Sequence, residues 1–277
     1  MVAEKGKGRF KRLLARNQWF KAVPNSLTLC NSLCGFIAII YTLQVYDNPR
    51  GDMEVFAISA WIIIFAMVFD ALDGFAARIF NAASMKGIQM DSLADMVTFG
   101  VAPAVIVAIM SHCLGREKTL IENLIVYALC GVYLGCAALR LATYNVHAMV
   151  EKKSGDKFAG LPSPGAAAGI CSAVIFYKDY SGSIKHLAFV LPVYATLLGL
   201  LMVSSVPYQH IGKWLQSVKR NKKRLVLLLI LILAVVMFKI AAVALLINLY
   251  IFSGPLVAAG RKLYMLFKPS PVDSQTA

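Results

Sequence analysis

Val55-Phe56-Ala57-Ile58-Ser59-Ala60-Trp61-Ile62-Ile63-Ile64-Phe65-Ala66-Met67-Val68-Phe69 runs without a charge straight into Asp70-Ala71-Leu72-Asp73-Gly74-Phe75-Ala76-Ala77-Arg78. With its flanks the run is long enough for a membrane helix, which takes roughly 20 mainly apolar residues. Its end carries carboxylates, which are costly at membrane depth and therefore rare and usually functional. Gly87, Asp91 and Asp95 follow, so the whole reads D-x2-D-G-x2-A-R-x8-G-x3-D-x3-D. Two close pairs of aspartates at the edge of an apolar run point to divalent-metal and phosphate chemistry at a membrane surface.

The remainder of the chain agrees with a membrane setting. It is 59% hydrophobic and only 15% charged, unlike an ordinary soluble domain. Apolar runs of spanning length recur, which predicts an all-α polytopic membrane protein. The approximate spans are 26–45, 54–79, 92–113, 120–144, 161–177, 186–206, 225–239 and 240–259. The last two divide one long apolar stretch at a turn near Phe238-Lys239. Ahead of them, Phe10, Leu13, Leu14, Trp19 and Phe20 alternate with Lys and Arg, the pattern of a helix lying in the interface. No short apolar region with a small-residue cleavage site follows, so no cleaved signal peptide is expected. The predicted organisation is a basic amphipathic segment over 1–23, a transmembrane catalytic domain over 24–259 and a cytoplasmic tail over 260–277.

The net charge of +14 does not form one basic patch, and no nucleic-acid-binding module accompanies it. The basic residues instead alternate with the apolar runs. With an even number of spans, most of the 28 lysines and arginines fall on one side, leaving Arg50, Arg116, Lys118, Lys178, Lys185 and Lys239 on the other. Basic loops stay cytoplasmic. Both termini and the aspartates are therefore expected at the cytoplasmic face. The six cysteines form no CxxC pair and read as packing residues. Gly131 and Gly135 make a GxxxG that lets membrane helices approach closely; packing within the chain is the first expectation and a dimer contact the second.

Asp70 and Asp73 share one helix face, as do Asp91 and Asp95 on the next helix. A short connection, roughly Phe80 to Met90, would bring the four carboxylates to one pocket, where divalent cations relieve their repulsion. Hard oxygen ligands select Mg²⁺, Mn²⁺ or Ca²⁺. Two such ions clamp a phosphoryl group and its leaving group. Gly74 and Ala77 remove bulk where a nucleotide or diphosphate would approach, and Arg78 offers a planar donor fork for phosphate. Intramembrane aspartates also serve ion-coupled transporters, but that reading leaves the small residues at fixed offsets unexplained.

The pattern from Asp70 to Asp95 resembles the signature of the CDP-alcohol phosphatidyltransferases at every defining position: Asp70, Asp73, Gly74, Ala77, Arg78, Gly87, Asp91 and Asp95. Pro24-Asn25 are expected to open the first span, since a proline in a helix's first turn lacks only an N–H that had no partner, and with Thr28 one turn later they resemble the family's first helix. Asp91 to Pro103, Arg140 to Asn145, Phe158 to Ala166, Leu201 to Tyr208 and Ser253-Gly-Pro255 are similar to the serine-using branch of that family. The similarity runs over roughly residues 22 to 258.

That resemblance implies a six-helix core plus two further helices, about eight in all, and a homodimer in the inner membrane. It implies a two-metal site on Asp70, Asp73 and Asp91, with Asp95 as general base. Asn25, Thr28, Gly74, Ala77, Arg78 and Gly87 would border the CDP moiety. The reaction implied is transfer of the phosphatidyl group from CDP-diacylglycerol to the hydroxyl of L-serine, releasing CMP. Glycerol 3-phosphate and an inositol phosphate are the alternative acceptors. A serine carboxylate calls for a cation, and Arg140, followed by Asn145, is the candidate; the competing role of Arg140 is snorkelling to the interface. Pro162 and Pro164 read equally as the start of the fifth span and as a rigid border of the acceptor pocket.

Overall fold

The computed structural model describes residues 18–46, 53–80, 84–114, 119–150, 160–180, 187–206, 208 and 245–260, and these are helical, with no strand among them. In chain order the helices are α1 (Gln18–Leu43, continued by a 3-10 turn at Gln44–Tyr46), α2 (Met53–Ile79), α3 (Met85–Asp95), a π-helical segment (Met96–Val101), α4 (Ala102–Leu114), α5 (Leu120–Val150), α6 (Ser163–Tyr180), α7 (Leu187–Val203) and α8 (Leu245–Gly260). Four stretches are long and apolar enough to cross a membrane: Ala22–Tyr46, Met53–Ala77, Met85–Leu114 and Leu120–Val146. Phe189–Val203 and Leu245–Gly260 are shorter apolar helices. The molecule is an all-α integral membrane protein. The expected span 225–239, most of the amphipathic segment and the tail beyond 260 lie outside the described residues.

Helices α3 and α4, joined without a break through the π segment, form the centre. That span is 61% buried, against 28% for the first span and 33% for the second and fourth. Ala102, Ala104, Ile106, Val107, Ile109 and Met110 turn inward, and α1, α2, α5, α6 and α7 pack around them. The outer faces keep large apolar side chains exposed, among them Leu33, Phe36, Phe65, Phe75, Leu124 and Leu197. A lipid-facing surface looks like this, because lipid tails do not drive such side chains inward.

The π segment has an identifiable cause. Pro103 has no N–H, so in α-helical register the carbonyl of Phe99 would lack its donor. The chain widens to five-residue bonding, with the Ala102 N–H on the carbonyl of Val97, and the buried Tyr133 hydroxyl of α5 donates to the Phe99 carbonyl at 2.7 Å. On the other side the Thr98 hydroxyl donates to the Asn31 carbonyl at 2.9 Å. Gly35 makes that crossing possible, since a Cβ there would lie 2.8 Å from Thr98 Cα.

Two expectations change. Pro24 does not open the first span: α1 runs through it from Gln18. The missing N–H is a local loss that leaves the rest of the helix ladder intact. The connection after α2 is shorter than Phe80 to Met90, because Ser84 caps α3 by accepting the Gly87 N–H at 3.0 Å, which starts the helix at Met85. Gly131 and Gly135 are exposed on α5 among the described residues, where a Cβ at either would meet nothing within 4 Å.

Candidate active site

The site lies where the start of α1, the end of α2 and α3 meet. Asn25, Thr28 and Asn31 recur at three-residue spacing, which puts them on one stripe of α1. Each meets a different part of the aspartate pattern. The Asn25 side-chain oxygen lies 3.8 Å from where a Cβ on Gly87 would stand. The Thr28 hydroxyl is 2.8 Å from Asp73 Oδ2 and 3.0 Å from the Pro24 carbonyl. Its single proton goes to the carboxylate, the stronger acceptor. Asn31, with no exposed surface, donates from Nδ2 to Asp95 Oδ1 at 3.3 Å.

Asp70, Asp91 and Asp95 each turn an oxygen inward so that these atoms all lie within 4.8 Å of one another. Asp70 and Asp95 are within hydrogen-bonding reach, and Asp73 lies within reach of the others' charge. Asp91 Oδ1 is buried and has no hydrogen-bond partner among the described residues. A buried carboxylate oxygen left so is costly, and carboxylates this close repel unless a cation lies between them. The donor set is all hard oxygen. It fits a divalent cation of the Mg²⁺, Mn²⁺ or Ca²⁺ class.

The geometry thus brings together Asp70, Asp91 and Asp95, with Asp73 tied to α1 by Thr28. Of the residues expected around the nucleotide, Asn25 and Gly87 are neighbours, while a Cβ on Gly74 would meet nothing within 4 Å among the described residues. Ala77 is half-buried. The Arg78 side chain lies outside those described. The Ser92 hydroxyl donates to the Asn145 side-chain oxygen at 2.8 Å, fastening α5 to α3 beside Asp91. Arg140 is half-buried and donates from Nη1 to the Met202 carbonyl at 3.2 Å.

The chain entering α6 is bound to the same end of α7. The Gly160 N–H donates to the Val206 carbonyl at 2.8 Å and the Leu161 N–H to Leu201 at 3.0 Å. Gly160 holds a φ of 90°, a conformation that favours glycine, and a side chain there would strike the Met202 carbonyl. Pro162 and Pro164 thereby sit at the start of α6, with the Pro162 carbonyl accepting from Ala166.

Comparison with known proteins decides the family. Residues 21–198 match the model of the CDP-alcohol phosphatidyltransferase domain. The chain belongs to the CDP-alcohol phosphatidyltransferase family. It is a transferase of phospholipid biosynthesis. It is 33% identical to the CDP-diacylglycerol–serine O-phosphatidyltransferase of Bacillus subtilis over 69% of this chain and 92% of that one. It is 29% identical to the enzyme of the same name from Helicobacter pylori, over 83% and 88%. It is also 31% identical to an archaetidylserine synthase from Methanothermobacter thermautotrophicus, over 69% and 71%. In this phosphatidyltransferase, sequence reasoning missed Asn31. The signal was available as a third polar residue on the stripe of Asn25 and Thr28.

Proposed function

We propose that this protein is a phosphatidylserine synthase, transferring the phosphatidyl group of CDP-diacylglycerol to L-serine with release of CMP. The observation that carries the reading is the crowding of Asp70, Asp91 and Asp95 within 4.8 Å, in a family whose relatives named above take serine. Their names agree on the acceptor and differ in the lipid, which supports serine more firmly than any tail chemistry.

Asp70, Asp73 and Asp91 are the ligands proposed for two divalent cations, Mg²⁺ or Mn²⁺, with Ca²⁺ as another possible occupant. Such ions, when bound, neutralise phosphate oxygens and stabilise the leaving CMP. Thr28, by holding Asp73 Oδ2, fixes that carboxylate as partners of metal ligands commonly do. Asp95 is the proposed base: it takes the proton of the serine hydroxyl as the oxygen bonds to the β-phosphorus and the bond from that phosphorus to CMP breaks. Aspartate is a weak base for an alcohol, so orientation must supply much of the rate. Asn31 contributes by engaging one oxygen of Asp95.

Open space above Gly74 and the neighbouring Asn25 and Gly87 support a CDP site bounded by Asn25, Thr28, Gly74, Ala77, Arg78 and Gly87. Arg140 is the proposed anchor of the serine carboxylate. Asn145 supports the pocket through Ser92 and is less suited to contact serine by its oxygen. The charge bias supports an inner-membrane protein of about eight spans with both termini and the site cytoplasmic. The segments 1–23, 24–259 and 260–277 are its proposed interfacial, catalytic and tail regions, with α1 continuous across the first boundary. A homodimer is proposed from the family.

CMP release from purified protein tests the reading, with CDP-diacylglycerol, Mn²⁺ and either L-serine, glycerol 3-phosphate or an inositol phosphate. Release with serine alone, abolished by a chelator, is expected. Release only with a phosphorylated acceptor would keep the chemistry and overturn the serine assignment.

A further inference from the structure

Helix α8 lies beyond the family match, which ends at residue 198, yet polar side chains bind it to the core. Tyr194 of α7 donates its hydroxyl to Asn248 Oδ1 at 2.7 Å. Tyr208 donates to the Ile251 carbonyl at 2.8 Å, and its ring covers Gly254, where a Cβ would lie 2.5 Å from it. These contacts fix the rotation of α8 and so the direction of Tyr250. The Tyr250 ring stands 5.7 Å from that of Tyr208, centroid to centroid. Its edge lies 3.8 Å from where a Cβ on Gly165 would be, in the first turn of α6. Arg140 reaches the same neighbourhood from α5, donating to the Met202 carbonyl, against which Gly160 also lies just before α6.

Arg140 and Tyr250 therefore both border the entry to α6. The Pro162–Gly165 entry to α6 and the α7 end at Met202 enclose the same region.

We propose that Tyr250 is a specificity-determining residue of the acceptor pocket, giving its hydroxyl, beside the Arg140 guanidinium, to the carboxylate of the amino-acid acceptor. This rests on the reading of Arg140 and serine given above. A site built to hydrogen-bond a substrate group rejects analogues lacking it, because its own polar groups are then left unpaired.

Steady-state CMP release by wild type, Tyr250→Phe and Tyr208→Phe tests this, with thermal unfolding in detergent followed on each. Loss of one hydrogen bond to a charged group is expected to raise the KM for serine about tenfold in Tyr250→Phe. The preference for serine over carboxylate-free serinol should fall by a similar factor, with kcat, the KM for CDP-diacylglycerol and the unfolding temperature near wild type. Tyr208→Phe should lower the unfolding temperature without that selective change. An unaltered serine KM in Tyr250→Phe overturns the proposal, as does a joint rise of both KM values with lost stability, which marks a packing role. If wild type uses a different acceptor, the serine reading fails on its own. A selective KM change for that acceptor in Tyr250→Phe would then still support Tyr250 as a pocket residue, and its absence would overturn it.

Discussion

Thr28 and Asn31 reach from α1 to two different aspartates, at 2.8 Å and 3.3 Å, and removing each should have a separate signature. Thr28→Val keeps the shape and deletes the donor to Asp73. Loss of such a supporting bond typically weakens metal binding about 10- to 100-fold, which a Mn²⁺ titration followed by electron paramagnetic resonance would detect; unchanged affinity would separate Asp73 from the metal. Asn31→Leu removes the donor to Asp95 instead. It should lower kcat about tenfold or more while Mn²⁺ and CDP-lipid binding persist, and a variant with full kcat would show that Asp95 needs no such support. The aspartates were legible in the sequence because carboxylates stand out against an apolar background. Asn31 stood out only as a third polar residue on the stripe of Asn25 and Thr28, and its burial against Asp95 is what reveals its role.

The helices themselves were legible from their apolar runs, but their details depended on partners distant in sequence. The π segment immediately follows Asp95 and exists because Pro103 leaves the Phe99 carbonyl to Tyr133, 34 residues away. No local pattern announces that pairing. Tyr133→Phe should leave this buried carbonyl short of a donor and cost about 1–3 kcal/mol, measured by thermal unfolding in detergent; an unshifted transition would mean the carbonyl finds another donor. Pro24 shows the opposite error. A proline rule that suits a helix start was applied to a position where α1 simply continues. The α2–α3 connection was overestimated because the Ser84 cap, a lone serine before Met85, was not read as a start signal.

Taken as one object, the molecule has a buried central span, a lipid-facing exterior and one polar cluster where α1, α2 and α3 meet. Its proposed orientation rests on the distribution of Lys and Arg, which favours the cytoplasmic side for the cluster. Lys86 is exposed two residues into α3, close in sequence to the aspartates. A Lys86→Cys protein should react with a membrane-impermeant thiol reagent from the cytoplasmic side only, and labelling from the opposite side would invert the topology. The proposed serine pocket was the least legible part, because it would combine α5, the entry to α6, the end of α7 and α8, segments joined by no motif. The most direct test of the whole account is incorporation of labelled serine into lipid by the purified protein, wild type beside Asp95→Asn, with CDP-diacylglycerol and Mn²⁺. The account predicts labelled phospholipid from wild type, none after chelation, and none from Asp95→Asn although that variant still binds Mn²⁺ and CDP-lipid. Undiminished labelling by Asp95→Asn, or no labelling by a wild type that binds both, would contradict it.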